Sequence, residues 1–427
     1  MAERKGSEKK KAAAETLAVD GGRKVWTKGF PVWPQFAPAA SAKVQRILGS
    51  GKVNYWTGPE GRRFEDAFAC WLGVRNAVSV SSGTAALHVA LAALGVGPGD
   101  EVICPAFSFI ASSSCVLLAG ATPVFVDVGE DGLIDPKKIE AAVTPRTKAI
   151  VAVHLYGAVA DMAAILRVAR RHGLFVVEDC AQCVGGVYRG RKAGALGTVS
   201  CFSFCQSKHF TTGGEGGMVC TDVDEVAVEA RALRDHGFRR RVGYNYRMTE
   251  IQSAIGLAEL RRFDTWNMPR RRRVAEELMR GLAGHPLVKR APLDTPARRN
   301  AFWLVPFVID ESRLKCGAGE FVSALEAEGA SLRAVLWPAT FREEAFAKRR
   351  GFGAANYPFD DPEARRIDYA KCDCPVAERL SRTTVAFWAH PTYSPVHARA
   401  DVAAFMKVAA AKMVEGLSNS NVKGDRK

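Results

Sequence analysis

The chain has 427 residues, with 60 Lys and Arg against 45 Asp and Glu, a formal charge of +15. Apolar residues at 48% and charged residues at 25% are globular proportions, which excludes wholesale disorder, and no apolar run reaches the roughly 20 residues that a membrane span requires. Eleven Cys, an odd number, in a long chain whose start lacks the pattern of a secretory leader, read as reduced thiols of a cytoplasmic protein. The positive charge gathers in patches at Arg4, Lys5 and Lys9 to Lys11, at Arg239 to Arg241, at Arg270 to Arg273, and at Lys423, Arg426 and Lys427. No nucleic-acid motif accompanies them, so nucleic acid is not expected as a partner and solvated faces are; an anionic ligand such as a nucleotide sugar would also suit a basic site.

Residues 1–35 lack apolar periodicity and are interrupted by Gly21-Gly22 and two prolines, which predicts a loose N-terminal arm. From Ala77 onward, short runs rich in Val, Ile and Phe alternate with helical stretches. The runs are Ala77–Val80, Glu101–Phe107, Thr122–Val128, Ala149–His154, Leu174–Glu178, Val199–Phe204 and Met218–Cys220; helical patterns include Thr84–Leu94, Pro136–Ala142 and Met162–His172. Strand, helix, strand at this spacing predicts an α/β domain around a mostly parallel seven-stranded sheet, and near-continuous apolar strands mean a sheet covered on both faces. Past Thr249 the pattern is helical to about Leu282. Asn300–Asp310 then reads as a strand, Gly319–Glu328 as a helix and Val396–Glu415 as a final helix, together a smaller C-terminal α+β domain. Between them Phe341 to Cys374 carries Gly, Pro, Asp and Arg without a period, as a long surface loop would. The expected division is an arm at 1–35, a large domain at 36–264, a small domain at 265–418 and a tail at 419–427.

Three segments carry chemistry. Ser81-Ser-Gly-Thr-Ala-Ala-Leu87 follows a short strand and opens a helix. Gly83 lets the backbone turn closely, Thr84 offers a hydroxyl, and the first helical turn leaves N–H groups that suit a phosphate; a plain helix N-cap is the competing reading. Leu174-Phe-Val-Val-Glu-Asp179 ends a buried strand in a carboxylate, where active-site residues of open α/β sheets gather; the competing role is satisfying a nearby loop or helix end. Ser203-Phe-Cys-Gln-Ser-Lys208 sets a lysine just past another buried strand, ahead of the glycine-rich Thr211-Thr-Gly-Gly-Glu-Gly-Gly217. A lone lysine is most simply a snorkelling surface residue. A phosphate cradle, a carboxylate and a lysine together, however, describe pyridoxal 5'-phosphate, bound by a Schiff-base Lys with an acidic partner for the pyridine nitrogen.

These segments resemble the DegT/DnrJ/EryC1/StrS family of pyridoxal-phosphate aminotransferases. Further marks are Gly97-Pro-Gly-Asp-Glu-Val102, Pro105-Ala-Phe-Ser-Phe109, Val153-His-Leu-Tyr-Gly157, Glu178-Asp-Cys-Ala-Gln182 and Gly243-Tyr-Asn-Tyr-Arg-Met248 followed by Glu250-Ile-Gln252, in register from about Gly21 to the last helix. The resemblance implies the fold-type-I, aspartate aminotransferase-like architecture and a homodimer whose active sites draw on both chains. It implies that Lys208 is the Schiff-base lysine and Asp179 the partner of the pyridine nitrogen. Gln182 would contact the cofactor ring or its phenolic oxygen, and Phe109 would stack on the ring. Gly83, Thr84 and Ser203 would contact the phosphate, and Asn245 would reach it from the neighbouring subunit. The implied reaction moves the amine of Glu or Gln to a keto-sugar or keto-cyclitol. Gly21-Gly-Arg-Lys24, Trp33-Pro34 and Cys374-Pro-Val-Ala-Glu378 are similar to the branch that includes scyllo-inosose and aminohydroxybenzoate enzymes.

The paired Cys180 and Cys183, and Cys201 and Cys205, imitate zinc spacing, but each pair lies on or beside a buried strand, where Cys acts as a small hydrophobe; Cys372 and Cys374 are read the same way, and no metal is expected. His209 follows the lysine, and a sister branch of sugar dehydratases carries histidine in place of that lysine; the register from Ser203 gives the position to Lys208, leaving dehydration as an alternative. A regulatory protein that keeps the fold and binds nucleic acid through the basic patches is the other alternative. His154, His236 and His390 read as structural. Simple 2-oxo acids are not the expected acceptors, because they ask for a carboxylate-binding arginine, and no arginine of the C-terminal half stands out in a motif for that role, Arg247 and Arg333 being the candidates.

Overall fold

The computed structural model describes residues 15–292, 294–333 and 338–414. The basic patches at Arg4 to Lys11 and Lys423 to Lys427, and the expected tail, lie outside the described residues.

Each of the seven apolar runs forms a strand of one sheet. They are β1 (Asn76–Val80), β2 (Glu101–Pro105), β3 (Thr122–Val126), β4 (Thr147–Val153), β5 (Phe175–Asp179), β6 (Val199–Ser203) and β7 (Gly217–Thr221). Their order is β1-β7-β6-β5-β4-β2-β3. Strand β7 runs antiparallel to both β1 and β6, and the remaining pairs are parallel. Strands β2, β6 and β7 are buried at every residue, as a sheet with helices on both faces requires. The crossover helices have clear chemical limits. Met162–His172 starts where Asp161 Oδ1 accepts the Ala164 N–H (3.3 Å) and stops at Gly173, whose φ of 65° an L side chain would resist. Two helices that the apolar pattern had not singled out, Pro38–Ser50 and Glu60–Leu72, precede β1.

A second sheet follows, with β8 (Val288–Arg290), β9 (Leu304–Ile309), β10 (Leu332–Arg333) and β11 (Thr384–Trp388) in the order β8-β9-β11-β10, all antiparallel. It packs with Met268–Leu282, Ala318–Ala327 and Pro395–Lys412 around Leu278, Phe307, Phe321, Phe387 and Phe405. Strand β11 and the helix Pro375–Thr383 before it were not foreseen.

One expectation needs correcting and another refining. The arm is not loose over its described part. Leu17 is buried in the second core, and the wholly buried Glu328 carboxylate accepts the N–H groups of Ala18 (2.7 Å) and Val25 (3.1 Å) while pairing with Lys407 (3.0 Å). The segment buries backbone through side chains far away in sequence, a bond that no local period can announce. Phe341 to Cys374 is largely exposed and irregular, as a surface loop would be, but it is anchored. Phe346, Phe359 and Tyr369 are buried around Leu117, and the Tyr369 hydroxyl donates to the Pro123 carbonyl at 2.9 Å. Aromatic anchors spaced too widely for either period let an irregular segment pack.

Candidate active site

Strands β5 and β6 are hydrogen-bonded neighbours, with Asp179 opposite Cys201. Asp179 therefore ends one strand beside Ser203, which ends the next. The chain then turns: Cys205 bridges Gly214, and the Lys208 N–H donates to the Cys205 carbonyl (2.9 Å), so the lysine stands at the same carboxyl edge of the sheet. The helix Gly83–Ala93 begins there too, capped by Ser82 Oγ, which accepts the Ala85 N–H at 3.1 Å. A Cβ on Gly83 would fall 2.6 Å from Ser203 Cβ, and one on Gly217 would fall 2.2 Å from the Ser82 carbonyl oxygen. Helix start and strand end approach this closely only because both positions are glycine. Gly83, Thr84 and Ser203 thus form one cradle at an open helix N-terminus, a place that suits a phosphate.

Asp179 is 5% exposed. Its Oδ2 accepts from Ser112 Oγ (2.7 Å) and its Oδ1 from the Ala181 N–H (3.0 Å), and Ser112 Oγ is in turn 2.8 Å from Ser108 Oγ. Among the described residues no Lys or Arg forms an ion pair with it. A buried carboxylate held by neutral donors, each oxygen with a lone pair to spare, is fitted to a cationic ring N–H supplied from outside the chain. With the glycine cradle, this donor set fits pyridoxal phosphate.

Around Lys208 three successive carbonyls are gripped by distant side chains. Trp303 Nε1 donates to Ser207 O (2.7 Å), Arg271 Nη2 to Lys208 O (3.4 Å) and His209 O (3.2 Å), and Asn267 Nδ2 to His209 O (2.6 Å). Lys208 Nζ itself lies 4.3 Å from the centre of the Trp303 ring. Arg271 is fully buried and forms no ion pair with a carboxylate among the described residues; its other bonds go to Asn267 Oδ1 (2.8 Å) and Ala389 O (3.1 Å), and burial brings its pKa down to about 9. His209 turns into the interior, with Nε2 3.2 Å from Ala301 O. Burial, then the charge of Arg271, holds its pKa well below the ordinary histidine value.

The remaining expected residues are less tightly grouped. Gln182 is buried behind β5, where its Oε1 accepts the N–H of Tyr156 (2.9 Å), a residue at φ 58°. Phe109 follows β2 and is 43% exposed. Asn245 stands apart: it is exposed, and its backbone bridges Asp235 rather than any residue of the cluster. Arg247 pairs with Asp235 (3.1 Å), and the side chain of Arg333 lies outside the described residues.

His154, Glu178 and Cys180 place three ligand-type atoms within 4.8 Å of one another, yet the chain already uses them. Glu178 accepts the N–H groups of Gly194 (2.9 Å), Leu196 (2.7 Å) and Gly197 (2.6 Å) and meets His154 Nε2 at 2.9 Å. Burial alone would raise its pKa, but the histidine and these amides outweigh it and hold it low. Burial pushes the Cys180, Cys183 and Cys201 thiols far up, as inert hydrophobes. His390 is a structural stacking residue between Trp33 and Trp388. The run Arg270 to Arg273 is no uniform basic face, because Arg271 is buried and Arg272 bonds Asp294 (2.9 Å) and Asn300 O (2.6 Å).

Sequence reasoning missed Arg271, Asn267, Trp303 and Ser112. One signal was available: Arg271 shares a helical face with Val274, Ala275, Leu278 and Leu282, all buried, at the spacing of an apolar stripe. Ser112, Asn267 and Trp303 left no local mark.

Comparison with known proteins agrees with this geometry. The model of the DegT/DnrJ/EryC1/StrS aminotransferase family matches residues 35–395. GDP-perosamine synthase of Caulobacter vibrioides is 45% identical over 296 residues, 66% of this chain and 78% of that protein. The L-glutamine:2-deoxy-scyllo-inosose aminotransferase of Streptomyces fradiae is 37% identical over 420 residues, 92% of this chain and 97% of that one. The crystal structure of an aminotransferase from Psychrobacter cryohalolentis superimposes with a TM-score of 0.80 at 34% identity, covering 90% of this chain and 99% of its own. The family model spans most of the chain, and the chain belongs to the DegT/DnrJ/EryC1/StrS aminotransferase family, whose members depend on pyridoxal phosphate.

Proposed function

We propose that this enzyme transfers the amino group of L-glutamate or L-glutamine to a ring ketone, either a keto-cyclitol or a nucleotide-linked keto-sugar, in the making of an amino sugar or aminocyclitol. In this reading it works in the cytoplasm as a homodimer with shared sites, and its large domain ends near residue 264. The observation that carries the chemistry is the meeting of an uncompensated buried carboxylate, Asp179, with a glycine-built cradle and a lysine at one edge of the sheet. The acceptor class draws on the relatives: one is named for 2-deoxy-scyllo-inosose with L-glutamine, the other for GDP-perosamine.

Lys208 Nζ would carry the cofactor, Asp179 would face its ring nitrogen, Gln182 and Phe109 would contact the ring, Gly83, Thr84 and Ser203 would hold the phosphate, and Asn245 would complete that grip from the partner. When bound, the group supplies an electron sink for the carbon that loses its proton. Ser112 Oγ and the Ala181 N–H fix both oxygens of Asp179, so the carboxylate would hold a ring-nitrogen proton without swinging away. Freed when the amine of the donor takes its place, Lys208 Nζ would remove the proton from Cα of the donor and pass it to the neighbouring carbon, base and then acid.

The test loads the cofactor with amine from L-glutamine or L-glutamate and then offers keto-cyclitols, nucleotide keto-sugars and simple 2-oxo acids in parallel. Return of the starting spectrum with a ring ketone supports the proposal. Fastest return with ordinary 2-oxo acids, and none with any ring ketone, defeats it.

A further inference from the structure

We infer that Trp303 is a positioning residue for Lys208, fixing both ends of that residue at once. The inference rests on Lys208 being the lysine that carries the cofactor and moves the proton.

At the backbone end, the Trp303 indole N–H donates to Ser207 O at 2.7 Å. At the tip, the face of the same ring receives Lys208 Nζ at 4.3 Å from its centre, within the range of a cation–π contact. The ring is rigid in its own place. It is 1% exposed and meets Trp388 edge-on at 5.8 Å, and Trp388 stacks on His390 at 4.6 Å. Asn267 and Arg271 secure the next two carbonyls. All of these donors come from residues beyond 262, whereas the lysine belongs to the turn after β6.

The chemistry gives such a mount a purpose. A lysine that removes a proton from one carbon and returns it to another must hold Nζ over both, although its four-methylene stem is flexible. Two contacts from one packed aromatic restrict that freedom at the base and at the tip. A misplacement of about 1 Å at a reacting atom costs about 100-fold in rate, so the effect belongs in kcat rather than in substrate binding.

Two substitutions separate the two contacts: Trp303→Phe keeps a ring face and loses the N–H, and Trp303→Leu loses both. One readout is independent of turnover. In the cofactor-free full-length protein, Lys208 is carbamylated with cyanate and its rate followed by peptide mass spectrometry, the other lysines serving as internal standards. Cyanate attacks the neutral amine, which a cation–π contact disfavours. Lys208 in Trp303→Leu should therefore react about three- to tenfold faster than in the native protein, and in Trp303→Phe close to the native rate. In the loaded enzyme, kcat should fall about 10- to 100-fold in Trp303→Leu and less in Trp303→Phe, with KM for both substrates within about threefold of native.

Native labelling and native kcat in folded Trp303→Leu would overturn the inference, as would a loss confined to KM. If Trp303→Leu does not fold, Trp303→Phe decides: reduced kcat with unchanged labelling supports the mount, and native kcat overturns it. Borohydride reduction of the native holoenzyme, with mapping of the modified peptide, checks the underlying reading separately. A label on another lysine removes that reading, whereas a label on Lys208 with no effect of Trp303 removes only this inference.

Discussion

Ser112 Oγ donates to Asp179 Oδ2 at 2.7 Å, joining the helix after β2 to the end of β5. The carboxylate that opposes the cofactor nitrogen in our reading is thereby oriented by a hydroxyl 67 residues away. Asp179→Asn should keep the fold, because the amide oxygen still accepts one of these bonds, and should lower kcat about 100-fold or more, because an amide does not stabilise a protonated ring nitrogen. Ser112→Ala should cost about tenfold, since it frees the carboxylate without removing it. Steady-state kinetics beside circular dichroism check both; near-native turnover of Asp179→Asn would assign the role to another group.

Gly83→Ala tests the cradle. The new methyl would press on Ser203 Cβ at 2.6 Å, so helix start and strand end must separate. Cofactor affinity, read by absorbance titration of the cofactor-free protein, should fall about tenfold or more, with a loss of stability of about 1–3 kcal/mol from overpacking. Unchanged affinity would place the phosphate elsewhere.

Asn245 is exposed and apart from the other site residues of its own chain. If it serves the neighbouring subunit, mixing Lys208→Ala chains with Asn245→Ala chains should restore activity, because each hybrid dimer then has one site with both lesions and one with neither. Recovery of about a quarter of native activity is expected for random pairing, on the symmetry of a two-fold dimer. Demonstrated hybrids without recovery would show that the sites are not shared.

Asp401 offers a stability prediction away from the active site. Its Oδ1 accepts the Ser331 N–H at 2.6 Å, its Oδ2 is buried without a partner, and burial raises its pKa to about 8. The unfolded chain loses this proton near the ordinary aspartate value and the folded chain only near 8, so folding stability declines as pH rises between those values. Asp401→Asn keeps the Oδ1 acceptor and cannot ionise. It should match the native protein near pH 4 and exceed it by about 1–3 kcal/mol at pH 8 in denaturant unfolding. A gap that does not widen with pH would show that Asp401 does not titrate with folding.

The alternation of Val-, Ile- and Phe-rich runs with helical stretches was enough to identify all seven strands of the large sheet, because a strand buried on both faces is mostly apolar and its few polar residues need partners inside the fold. The candidate site residues of our proposal were legible for a related reason: Gly83 and Gly217 stand where no side chain fits, and Asp179, Ser203 and Lys208 stand at or just past the ends of buried strands, positions set by local chain geometry. What only the tertiary structure decided is what those residues touch. Arg271 is one arginine in a run of four until the fold buries it against the carbonyls of Lys208 and His209. Trp303 and Ser112 acquire their partners across 96 and 67 residues. The burial of Leu17 in the second core and the stacking of Trp33 on His390, and the packing of Phe346, Phe359 and Tyr369, likewise depend on surfaces that exist only after the sheets have formed. Hydrophobic period is a property of neighbours along the chain and is written in it; a hydrogen bond between distant segments is a property of the packed layers, and no window of sequence contains both of its ends.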